Sequence, residues 1–155
     1  MIKKRILLVG GSGNLGSEII KSKIFKNIYA PSKKTMNLLD QQKIRKILKT
    51  KKIKIVHISS DAVYPSTVGH YKEEAKLGPY NVYGWTKLGS EFLIKMIDQH
   101  VIIRTRFYKS NLIKYKFSAS DLYTSQVEIG YLPKYINYLI RLSNSPFFSK
   151  DLNSS

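Results

Sequence analysis

Apolar positions change period along the chain, and the changes outline alternating strands and helices. Arg5 to Val9 ends a short continuous apolar run at glycines, the form of a buried strand in a parallel sheet. Residues 14–23 follow, with Leu15, Ile19 and Ile20 at helical spacing. Residues 27–31 read as a second strand stopped by Pro31, and 36–39 as a short third. Asp40 is placed to cap a helix running to Thr50, with Ile44, Ile47 and Leu48 on one face. Ile53 to Ile58 is a strong strand, and 59–80 is loop, punctuated by Pro65, Gly69, Gly78 and Pro79. Tyr83 to Asp98 predicts a helix on Leu88, Phe92, Leu93 and Met96, and Val101 to Thr105 a further strand. A basic, aromatic connection over 106–116 leads on to a last helix over 132–142. This alternation predicts an α/β fold with a mostly parallel sheet in three αβα layers. Residues 1–142 are expected to form a single domain, and 143–155 a polar, frayed tail.

The chain has 155 residues, room for one domain, and its 43% hydrophobic content excludes bulk disorder. Lys and Arg number 27 against 10 Asp and Glu, a net charge of +17. Such an excess suits a nucleic-acid or other anionic partner. The basic residues are dispersed, however, so nucleic acid is not expected as partner, and attraction of a small anion is the by-product. Absence of cysteine excludes disulfides and thiolate metal sites, and His57, His70 and His100 have no metal-pair spacing. No apolar run approaches the roughly 20 residues that cross a bilayer. The apolar run after Lys3-Lys4-Arg5 ends at Gly10, too short for a signal-peptide core. A cytoplasmic protein without membrane attachment is expected.

Gly10-Gly-Ser-Gly13-Asn14-Leu15-Gly16 lies between a strand and a helix, the placement that gives a glycine loop chemical content. The glycines allow a tight turn, close approach of backbone to a pyrophosphate, and close helix packing. The helix N-terminus adds free N–H groups and partial positive charge. The expected fold is therefore a reduced Rossmann-like, doubly wound domain that binds a dinucleotide. No acidic residue lies between Glu18 and Asp40 to hold a ribose 2′-hydroxyl, and Ser32-Lys33-Lys34 suits a 2′-phosphate. NADP(H) is thus favoured over NAD(H).

Tyr83 and Lys87 share one helical face at i and i+4. A neighbouring ammonium favours the phenolate and fits a tyrosine for proton transfer. Ser59-Ser60, just past a strand, offers a hydroxyl to a carbonyl undergoing reduction. These segments resemble the extended short-chain dehydrogenase/reductase superfamily that acts on nucleotide sugars, most closely its dTDP-4-dehydrorhamnose reductase branch. The resemblance rests on Gly10, Gly13 and Gly16, on Ile58-Ser-Ser-Asp-Ala-Val-Tyr64, on Tyr71-Lys-Glu-Glu74, and on Pro79 to Glu91 with its Tyr83-Gly-Trp-Thr-Lys87. The strand at 101–105 and Ser120 to Ser125 also fit.

The resemblance implies a reductase of a 4-keto nucleotide sugar, with hydride transfer from a nicotinamide. Ser60 would polarise the substrate carbonyl, and Tyr83 would be the general acid. Lys87 would hold the nicotinamide ribose. Gly13, Asn14 and Leu15 would line the pyrophosphate, Ile58 would be a further cofactor contact, and Asn37 and Leu38 would meet the adenine end. Substrate contacts would come from Ser60, Asp61 and Arg104. Arg104 and Arg106 are both of a type to grip a sugar-nucleotide phosphate. Against the family pattern, the chain is shortened by about one strand-helix unit before Ser60 and by most of a substrate lobe. The alternatives are a catalytically impaired dinucleotide-binding protein, or an epimerase or dehydratase of nucleotide sugars. The tyrosine-rich helix at 131–142 is a candidate surface for a homo-oligomer.

Overall fold

The computed structural model describes residues 6–36, 40, 42, 54–67, 69–97, 99–112 and 126–143. They divide into two compact units, Met1–Ile53 with Glu128–Ser155, and Lys54–Val127. In the first unit, β1 (Ile6–Leu7) pairs in parallel with β2 (Ile28–Tyr29). Between them runs α1 (Asn14–Ser22), which ends on Lys23 in the left-handed conformation. The last helix, α3 (Leu132–Leu142), begins with a proline in its first turn, where the missing N–H costs no hydrogen bond. It packs with α1, and Ile19, Ile129, Leu132 and Ile136 are buried there.

The second unit carries β3 (Ile55–Ser59) and β4 (His100–Arg104), paired in parallel from Ile55 opposite His100 to Ser59 opposite Arg104. A 3₁₀ turn (Asp61–Val63) follows β3, and α2 (Val82–Lys95) crosses over to β4. Asn81 starts α2 by accepting the Gly84 amide at 2.7 Å on its side-chain oxygen. Leu88 of α2 joins Val63 and Tyr64 in a buried cluster, with Tyr71, Ala75 and Leu77 packed around it. The chain then leaves β4 into β5 (Phe107–Tyr108), and Val127, which opens β6 (Val127–Glu128), donates its amide to the Arg106 carbonyl at 3.0 Å.

Parallel strands joined by helices match the α/β expectation. The strand expected at 53–58 is met by β3 over Ile55–Ser59, which runs directly to Ser60. Two short strands, β5 and β6, lie where no strand was expected. Most of the helix expected over 40–50, most of the strand at 36–39, residues 120–125 and the tail beyond Ser143 fall outside the described residues. Among the described residues no helix is long and apolar enough to cross a membrane.

Candidate active site

The residues singled out by sequence fall in both units, and each set has its own geometry. In the first unit, Gly10 turns the chain at φ 77° and its carbonyl accepts the Gly13 amide at 2.9 Å. A Cβ on Gly16 would run into that same carbonyl oxygen and come within 2.7 Å of Gly11 Cα, so α1 sits closer to the loop than any side chain allows. Among the described residues no side chain caps α1, and its first turn, opened by Asn14 and Leu15, has no acidic residue. The helix end therefore presents its amides and partial positive charge uncompensated, which fits a pyrophosphate. Ser32 folds a turn, its hydroxyl 2.9 Å from that of Thr35 and accepting the Thr35 amide at 3.2 Å. Lys33 and Lys34 are exposed on that turn. Asn37 and Leu38 lie outside the described residues.

In the second unit, Ser60 and Tyr83 line one open cavity of about 240 Å³, together with Ala62, Tyr80, Asn81, Thr105, Arg106 and Phe107. Lys87 lies one turn beyond Tyr83, its Nζ 5.8 Å from the ring centroid. That ammonium donates to the Ile58 carbonyl at 3.2 Å, tying α2 to β3. Ser60 caps the 3₁₀ turn: its Oγ accepts the Ala62 amide at 3.2 Å and donates to Asp61 Oδ1 at 3.1 Å. Asp61 in turn pairs with Arg106, whose Nε is 3.0 Å from Oδ2 and 3.1 Å from Oδ1.

Arg104, expected at the substrate, points elsewhere. Its guanidinium is taken up by Glu91, by the Tyr64 hydroxyl at 2.8 Å and by the Glu73 carbonyl at 2.9 Å. The strand turns it toward α2, where the buried Glu91 carboxylate needs a cation. Burial is the largest single influence and would raise the Glu91 carboxyl, but the hydrogen bonds and charge of Arg104, aided by the charge of Lys95, together hold it below the ordinary range. Glu91 in turn holds the Arg104 guanidinium even more firmly protonated than usual.

Tyr80, Asn81, Thr105 and Phe107 also line the cavity, although sequence reasoning gave them no role there. The signal for the first two was adjacency: both stand just before the Tyr83 helix. His57, read from sequence as a scattered histidine, bridges β3 to α2 with Nε2 2.9 Å from Ser90 Oγ. The Ser90 hydroxyl donates its one proton to the Lys87 carbonyl at 2.7 Å, so His57 must be the donor through Nε2–H. Burial, and then the charge of Lys87, push the His57 pKa down, which favours the neutral ring. No cluster of three metal-ligating side chains occurs among the described residues.

Residues 49–115 match the family model described as the RmlD substrate binding domain, a span that includes Ser60, Tyr83, Lys87 and Arg106. No curated protein sequence matches the chain. Among solved structures, it resembles a dTDP-4-dehydrorhamnose reductase of Clostridium acetobutylicum, with TM-score 0.75 at 18% identity over 91% of this chain and 71% of that one. It also resembles a dTDP-4-dehydrorhamnose reductase of Bacillus anthracis in complex with NADP, with TM-score 0.73 at 18% identity over 92% and 72%. A hypothetical dTDP-4-dehydrorhamnose reductase of Sulfolobus tokodaii gives TM-score 0.66 at 24% identity over 92% and 74%. The resemblance read from the glycine loop, the Ser60 segment and the Tyr83 helix therefore holds: the chain carries the RmlD substrate binding domain match over residues 49–115 and has the fold of the dTDP-4-dehydrorhamnose reductases.

Proposed function

We propose that this chain is a reductase of a 4-keto nucleotide sugar that uses a nicotinamide dinucleotide, with NADP(H) preferred. The observation that carries this reading is the sharing of one cavity by Ser60 and Tyr83, with the Lys87 ammonium beside the tyrosine ring. The family match over the same residues and the NADP complex of the Bacillus anthracis relative support it. When bound, the cofactor supplies the hydride. The chain's own residues do the rest. The amides opening α1 hold the pyrophosphate, and Lys33 meets the 2′-phosphate. Ser60 has one proton to give. A substrate carbonyl oxygen takes it over from Asp61, while Arg106 keeps the Asp61 carboxylate compensated. Tyr83 protonates the oxygen as reduction proceeds, and the Lys87 ammonium stabilises the phenolate left behind.

NADPH oxidation in the presence of 4-keto nucleotide sugars tests this reading, with parent and Tyr83→Phe compared. General acid catalysis contributes roughly 10²–10⁴-fold, so Tyr83→Phe is expected to lose about a hundredfold or more in kcat. Equal turnover by the two proteins would remove Tyr83 as the acid.

A further inference from the structure

We infer that Arg106 is a substrate-binding residue, and that its terminal guanidinium edge receives a phosphate of the substrate. This rests on the reading of the cavity as the nucleotide-sugar site. Among the described residues that line the cavity, Arg106 alone carries a charge. The others offer hydroxyls, an amide and apolar surface, chemistry suited to a sugar and a base. Asp61, its counter-ion, does not line the cavity.

The geometry divides the guanidinium in two. Nε is committed to Asp61, 3.0 and 3.1 Å from the two carboxylate oxygens. Neither Nη atom makes a hydrogen bond among the described residues. A planar guanidinium anchored through Nε keeps its two Nη groups as a parallel pair of donors, the arrangement that takes two oxygens of one phosphate. Anchoring also lowers the conformational entropy lost when a ligand arrives. Arg104, the neighbour of the same type, has its Nε, Nη1 and Nη2 all engaged inside the fold. Of the two arginines that the sequence offers for a phosphate, the structure leaves only Arg106 available.

The test is an amide-resolved NMR titration of the full chain with dTDP, and with thymidine as the uncharged control. In the parent, dTDP is expected to shift the amides of 60–62 and 105–107. Arg106→Gln should weaken dTDP binding roughly tenfold or more and leave thymidine unchanged, since hydrogen bonds to charged groups are the strong class. Arg106→Lys keeps the charge without the fork and should fall between parent and Arg106→Gln. It also serves as the readout if the Gln variant loses its folded spectrum. Equal dTDP affinity in parent and either variant, or shifts confined to residues 10–16, would overturn the inference. A chain that binds dTDP at Arg106 but reduces no keto sugar would retain this site and lose only the reductase reading.

Discussion

Arg104 grips Glu91 through two nitrogens, Nη2 at 2.7 Å from Oε2 and Nε at 3.0 Å from Oε1. The Glu91 side chain is only 1% exposed, so this is an interior pair and not a surface one. Removing one member of such a pair leaves a buried charge uncompensated, at roughly 3–5 kcal/mol. Arg104→Met is therefore expected to lower stability by about 3 kcal/mol in urea unfolding. Glu91→Leu combined with Arg104→Met should recover much of the loss. If the single variant is as stable as the parent, the pair does not anchor α2 to β4.

The same pair sets an acid limb. The Glu91 carboxyl is held below its ordinary value of 4.5, so the unfolded chain binds the proton more readily. The stability Glu91 contributes is present above that ordinary value and is lost as pH falls through the lowered, folded one. Urea midpoints between pH 3 and 6 should decline steeply in the parent and less so in the double variant.

A second pH dependence belongs to His57. Its pKa is pushed down from 6.5, so the folded chain holds the neutral ring while the unfolded chain takes a proton below about that pH. Stability is expected to fall as pH drops from 7.5 towards 5.5. His57→Gln retains a donor to Ser90 but cannot titrate, and should flatten this portion of the profile. An identical slope in parent and variant would place the titration elsewhere.

Gly13 and Gly16 separate ligand binding from folding. A Cβ on Gly13 meets only the Gly10 carbonyl oxygen, at 3.3 Å, a contact that a small shift relieves. Gly13→Ala should stay folded, and Gly13→Val should in addition lose cofactor binding by fluorescence titration. Gly16→Ala meets backbone on two sides and is expected to lower the thermal midpoint, because neither Gly10 nor Gly11 can yield as a side chain would.

The exposed Lys33 and Lys34 give a cofactor test. Hydrogen bonds to charged groups are worth about 1.5–3 kcal/mol, so NADPH should bind roughly tenfold to a hundredfold more tightly than NADH. Replacing both lysines by Ala should bring the two affinities together while NADH binding changes little. Equal affinities in the parent would remove these residues from cofactor choice.

Long, strongly periodic elements were legible from sequence: α1, α2, β3, β4 and α3 lie within a few residues of where the apolar pattern puts them. β5 and β6 were not, because two residues carry no period, and their existence depends on a partner remote in sequence. At the site, Tyr83 with Lys87 was legible because a helix fixes which residues one turn apart share a face. The role of Arg104 was not, since it depends on a carboxylate brought up by a different element. The clue was Glu91 itself, which stands three residues after Leu88 and seven after Gly84, on the buried face of α2. A charge in an apolar stripe requires a counter-charge, and the end of a neighbouring parallel strand is where one is supplied.

Gly84 is the other residue of that buried face with a consequence of its own. A Cβ there would strike the Ala62 carbonyl, so α2 seats directly on the 3₁₀ turn, backbone against backbone. Ser60 opens that turn and Tyr83 precedes Gly84 in the helix. The backbone positions from which the two side chains reach the cavity are thus set main chain against main chain. Serine and tyrosine therefore share one footing: whatever displaces the 3₁₀ turn displaces the start of α2 with it.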